Sequence, residues 1–141
     1  MIDMAQAKTK VHVMTVNSWG GLADEAFNII SHMRRLQAKG HYFICIGEKV
    51  VSAAFSIFMA CDKRLGRHGS LYMQHMVRKC NMFYCMRDWH TRELDKIQYD
   101  LAMQHVKLPG MIWVNNYIEK ERFFTNKEAH DIGVIDGYES N

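Results

Sequence analysis

Two adjacent glycines stand where a strand-like segment gives way to a helix-like one. The apolar run Val11-His12-Val13-Met14-Thr15-Val16 leads directly into Asn17-Ser18-Trp19-Gly20-Gly21, and an amphipathic stretch begins at Leu22. Glycines at such a junction let backbone N–H groups approach a ligand with no Cβ in the way. The same N–H groups open a helix, where negative charge is stabilised. Acyl-transfer chemistry needs such a place for its tetrahedral oxyanion. A nucleophile, a base and a carboxylate elsewhere in the chain would complete that chemistry.

Strand and helix patterns alternate along the remainder. From Leu22 to Lys39, Ala26, Ile29, Ile30, Met33 and Leu36 fall on one helical face, with Asp24 and Glu25 in the first turn and Gly40 as a stop. His41 to Ile46 reads as a second strand, and Ser52 to Ala60, apolar nearly all round, as a buried helix. Leu71 to Gln74 reads as a short third strand. A long helix is expected from about Met86 to Val106, with Trp89, Leu94, Ile97 and Leu101 on one side, broken at Pro109-Gly110. Met111 to Lys120 predicts another helix. Thr125-Asn126-Lys127-Glu128 matches a capping box for a short helix ending at Gly133, and Val134-Ile135 predicts a brief strand. The alternation predicts one α/β domain over residues 1–141, with largely parallel pairing.

Composition narrows the partners. The net charge of +3 is too weak to argue for nucleic acid, and no basic run carries interleaved aromatics. No apolar run reaches membrane-spanning length, and Met1 to Gln6 lacks the pattern of a signal peptide, so a cytoplasmic protein is expected. Cys45, Cys61, Cys80 and Cys85 fit that setting as free thiols. The Cys80-x4-Cys85 spacing is a poor zinc signature, and neither a metal nor a cofactor is expected. The eleven methionines suit a plastic core or a self-associating surface better than a cofactor box.

Three side chains are candidates for the chemistry, and each has an ordinary alternative. Ser52 opens the buried helix, followed by the small residues Ala53 and Ala54; its commoner role there is an N-cap. His75 ends the short strand and can act as a general base, although seven other histidines share no evident role. Glu121 can orient an imidazole, although it lies in Glu119-Lys120-Glu121-Arg122, which also reads as a solvated charge cluster.

Taken in order, these segments resemble the Clp-type protease proteolytic subunit, the ClpP family of serine peptidases with a crotonase-like fold. The resemblance runs from about residue 10 to 137. Asn17-Ser18-Trp19-Gly20-Gly21 is similar to the family's Asn-Ser-Pro-Gly-Gly segment. Ser52 to Asp62 resembles the nucleophile helix, most of all that of the viral head-maturation branch in bacteriophages. Leu71 to His75 resembles the strand ending in the base, and Arg122 to Asp136 the C-terminal signature. The resemblance implies repeated strand–helix units and a long protruding handle helix. It implies Ser52 as nucleophile, His75 as general base and Glu121 in place of the usual aspartate, with backbone N–H groups of Gly20, Gly21 and Ala53 as the oxyanion hole. It implies peptide or unfolded-protein substrates and a homo-oligomeric, heptameric ring, single or doubled.

The chain departs from that pattern in places. Trp19 replaces a proline, Val50 and Val51 replace small residues before Ser52, and the family's glycine four residues ahead of the serine is Glu48 here. Only about ten residues precede Val11, where the family carries an N-terminal helix, an axial loop and a first strand–helix unit. Coupling to an ATPase unfoldase is therefore doubtful, and an unpaired sheet edge is expected. Two other functions stay open: a non-catalytic subunit or adaptor co-assembling with a full-length Clp subunit, and an acyl-CoA enzyme of the crotonase type.

Overall fold

The computed structural model describes residues 10–140, and it builds a parallel sheet around the segments above. Strand β1 (Val11–Ser18) pairs in parallel with β2 (Tyr42–Val51), which pairs in parallel with β3 (Lys63–Met73). Two short strands complete the sheet beside β3: β6 (Phe124–Thr125), antiparallel, and β7 (Gly137–Tyr138), parallel. Helices α1 (Ala23–Ala38) and α2 (Ala53–Met59) follow β1 and β2 as crossovers. A separate hairpin of β4 (Lys79–Cys80) and β5 (Cys85–Met86) precedes α3 (Trp89–Met103). Then come α4 (Gly110–Trp113), continued by a π-helical turn at Val114–Ile118, and α5 (Asn126–Asp131). Among the described residues no helix is long and apolar enough to cross a membrane.

Alternation in β2 sets the core. Phe43 and Cys45 are buried on the side that faces α1 and α2, whereas Tyr42 is exposed on the other. Helix α1 supplies Ala26, Ile30, Met33 and Leu36 to that core; Ile29, expected with them, is 46% exposed. Helix α2 is buried at every residue but Ile57, as its uniformly apolar sequence predicts. An aromatic cluster of Phe55, Tyr72, Trp113, Tyr117 and Phe124 then ties α2, β3 and the helical turns together. The buried Arg64 anchors the C-terminal segment, donating to the carbonyls of Cys61 and Val134 and pairing with Asp136.

Several expectations are corrected. Strand β3 starts at Lys63 rather than Leu71, because its polar first half is held by ladder bonds and by Arg64 rather than by an apolar pattern. Helix α3 begins at Trp89 and is capped by Asp88, whose carboxylate accepts from Thr91 N–H while Thr91 Oγ1 accepts from Asp88 N–H. Its Trp89 and Ile97 are exposed, and only Leu94 and Leu101 of the four expected apolar residues pack inward. Thr125 makes no side-chain cap, and the Glu128 carboxylate, which a capping box would turn back to the Thr125 N–H, is taken by Arg122. Val134 and Ile135 are buried but not in a strand; the pairing falls at Gly137–Tyr138. The four cysteines are not free: Cys45–Cys61 and Cys80–Cys85 are disulfides, with Cα atoms 6.0 Å and 4.0 Å apart.

Candidate active site

Ser52 lies where β2 turns into α2, and the turn is strained. Its φ of 60° and ψ of −124° put a β-carbon-bearing residue in a region that L residues rarely occupy. The Ser52 N–H donates to the Met73 carbonyl at 2.8 Å, which fixes the turn against the end of β3. The side chain caps nothing. Its Oγ instead lies 2.7 Å from His75 Nε2. Val50 and Val51, both buried, fill the core under the turn and leave this contact intact.

The histidine's tautomer follows from its second contact. His75 Nδ1 is 2.6 Å from the carbonyl oxygen of Met76. A carbonyl can only accept, so Nδ1 carries the proton and donates. In the neutral ring Nε2 is then the acceptor for the Ser52 hydroxyl, the state a general base requires.

Glu121 is elsewhere. Its carboxylate pairs with Arg78 at 2.7 Å rather than with the imidazole, whose Nδ1 is already occupied. Glu121 itself has a φ of 48°, a second strained non-glycine position. It borders one cleft with Met76 and Arg78, close to the base in the fold but not bonded to it.

The glycine junction abuts the serine. Gly20 has a φ of 111°, and a Cβ built there would lie 2.7 Å from Ser52 Cβ. Gly20, Gly21 and Ala53 line one groove of about 390 Å³, together with Leu22, Val16 and Ile57. The Gly20 N–H points to Ser18 Oγ at 3.1 Å. Trp19 is exposed and stacks under the Lys49 ammonium, which lies 5.3 Å from the ring centre. Beside Met76 a cavity of about 420 Å³ is lined by Trp113, Val114 and Ile118, with Gln74, Gln98, Arg87, Asp95, Lys96 and Asp100 at its polar side. No group of three or more His, Cys, Asp or Glu among the described residues is placed to hold a metal ion.

The arrangement therefore brings Ser52, His75 and the two glycines together from three distant stretches, and leaves Glu121 on an arginine. Sequence reasoning missed Asp95, Gln98 and Arg87, which hold the segment bearing the base; Gln98 shares the helical face of Leu94 and Leu101, but nothing local signals that Asp95 and Arg87, which lies ahead of α3, meet the Val77 backbone.

Comparisons with known proteins agree with this architecture. A family model described as Clp protease matches residues 1–139. The fold is similar to the catalytic domain of the ClpP protease from Plasmodium falciparum, with a TM-score of 0.75 and 18% identity over 94% of this chain and 71% of that one. A mutant of the 1510-N membrane-bound stomatin-specific protease, in complex with a substrate peptide, matches with a TM-score of 0.71 and 18% identity over 97% of this chain and 64% of that one. A second mutant of that protease matches at 0.68 and 16% identity, over 96% of this chain and 82% of its own. At these identities the likenesses establish the α/β, crotonase-like fold. No curated protein matches in sequence.

Proposed function

The chain belongs to the Clp protease family, and from that premise we propose that it is a serine endopeptidase acting on peptides or unfolded protein. The observation that carries this reading is the 2.7 Å contact between Ser52 Oγ and an imidazole nitrogen that is the acceptor in the neutral ring. As Oγ attacks a peptide carbonyl, Nε2 takes its proton, and the imidazolium later returns that proton to the leaving amine. Water then repeats the sequence on the acyl-enzyme. The N–H groups of Gly21 and Ala53 receive the oxyanion, joined by that of Gly20 once it leaves Ser18. Glu121 is the carboxylate assigned to the imidazolium, a role that requires it to exchange Arg78 for the ring. The cavity that Met76, the residue after the base, shares with Trp113, Val114 and Ile118 suits an apolar substrate side chain. The assembly that goes with this reading is a homo-oligomeric ring.

One observation favours a second reading: the Glu121–Arg78 ion pair, which suits a non-catalytic subunit co-assembling with a full-length Clp subunit. Hydrolysis of quenched fluorescent casein separates the two. The endopeptidase reading expects turnover that Ser52→Ala and His75→Ala each abolish. A folded, assembled protein without turnover, whose addition alters a full-length Clp ring, would replace it with the second.

A further inference from the structure

A carboxylate that never touches the base lies one peptide unit behind it. The Met76–Val77 peptide presents its carbonyl to His75 Nδ1 at 2.6 Å, and its N–H to Asp95 Oδ1 at 2.7 Å. A trans peptide is planar, with its N–H and C=O on opposite sides, and the described chain contains no cis bond. Fixing the N–H therefore aims the carbonyl. We propose that Asp95 is a positioning residue for His75, acting through this peptide plane to hold the imidazole in the Nδ1–H tautomer. The inference rests on the Ser52–His75 reading above.

The surroundings make the plane stiff. Arg87 donates to the Val77 carbonyl at 2.7 Å and meets Asp95 Oδ2 as an ion pair. That oxygen is sealed from solvent and has no other partner. Both backbone polar groups of Val77 are thus held by side chains instead of by a neighbouring strand. Gln98, one turn further along α3, donates to the His75 carbonyl at 3.3 Å and accepts from Ser56 Oγ at 3.0 Å. Ser56 lies one turn beyond Ser52 on α2, and Gln74 donates to its hydroxyl at 3.3 Å. The face of α3 that carries Asp95 and Gln98 is therefore bonded both to the segment bearing the base and to the helix bearing the nucleophile. A carboxylate accepting the Val77 N–H also polarises the peptide, which makes the Met76 carbonyl a stronger acceptor for Nδ1–H. With Glu121 paired to Arg78, this chain of bonds is what sets the tautomer in the resting enzyme.

The test combines two measurements on the full chain: ¹⁵N chemical shifts of the His75 ring nitrogens, and the rate at which a fluorophosphonate probe labels Ser52. Asp95→Ala is expected to populate the Nε2–H tautomer and to slow labelling about ten-fold, the scale of one charge-assisted hydrogen bond. Asp95→Asn keeps an acceptor but loses the charge, and is expected to retain the Nδ1–H tautomer and slow labelling about three-fold. Glu93→Gln, on the exposed part of α3, is expected to change neither. Should Asp95→Ala not fold, the Asn variant decides alone. Wild-type labelling and an unchanged His75 tautomer in a folded Asp95 variant would overturn the inference. A wild-type protein that is not labelled at all would instead overturn the peptidase reading, while the ¹⁵N shifts still judge Asp95.

Discussion

The sharpest steric consequence of the site is at Gly20. A Cβ there would sit 2.7 Å from Ser52 Cβ, 3.1 Å from its Oγ and 3.1 Å from the Val51 carbonyl, on a backbone with φ of 111°. Ordinary contact begins near 3.4 Å, so the serine turn or the glycine strand must yield by about 0.7 Å. Neither neighbour is the free end of a flexible side chain: the serine turn is fixed by its own N–H bond to Met73. Placing an L residue in this conformation costs about 1 kcal/mol, and the overpacking about 2 kcal/mol more. Gly20→Ala should therefore lower stability by about 3 kcal/mol and the melting temperature by roughly 10 °C. A shift of this size also pulls Oγ out of reach of Nε2, so labelling of Ser52 should fall about 100-fold. Gly137→Ala is the control, because its Cβ would meet only Leu65 at 3.7 Å and costs nothing steric. The assays are thermal unfolding by circular dichroism and the time course of fluorophosphonate labelling. A Gly20→Ala protein that melts with the wild type and labels at its rate would refute the packing of the glycine junction against the serine.

Arg64→Met strands the carbonyls of Cys61 and Val134 and frees the C-terminal segment; urea unfolding should register a loss of about 3 kcal/mol. The Asp88 carboxyl is held down to about 2, first by the Lys79 ammonium and then by the Thr91 N–H. Its folded value lies below its ordinary 3.8, so it stabilises the protein above that pH and the contribution fades as pH falls toward 2. Asp88→Asn should accordingly flatten the acid limb of a stability–pH curve between those values. The Cys45–Cys61 disulfide closes a separation of 16 residues, so Cys45→Ala with Cys61→Ala should cost roughly 3 kcal/mol, measured by denaturant midpoint without reductant.

What was legible in the sequence was whatever local chemistry dictates. The alternating segments gave the parallel order β1, β2, β3, because each apolar run has to bury its face against the next helix. Ser52 and His75 could be named because both sit at strand ends, where a side chain is free to leave the sheet, and because the segments around them resemble the nucleophile helix and the base-bearing strand of the family. Three features were out of reach for a common reason: each depends on which partner, near or far in the chain, claims a carboxylate. Glu121 is claimed by Arg78, 43 positions earlier. Glu128 is claimed by Arg122, six positions earlier, and so cannot close the capping box on the Thr125 N–H. Asp95 is turned inward by the Val77 N–H, 18 positions away. Ser52 also defeats the N-cap expectation for a backbone reason. An N-cap has extended dihedrals, whereas the φ of 60° here directs the hydroxyl across to His75. The half-polar β3 shows the same limit from the other side, since a strand stabilised by its neighbours' ladder bonds needs no apolar pattern of its own.

The most direct measurement is the mass of the intact protein after incubation with diisopropyl fluorophosphate, with the adduct mapped by peptide sequencing. An activated hydroxyl beside an acceptor imidazole predicts a single diisopropylphosphoryl adduct on Ser52, formed with loss of fluoride and absent in His75→Ala. A folded protein that stays unmodified, or that is modified at another residue, would contradict it.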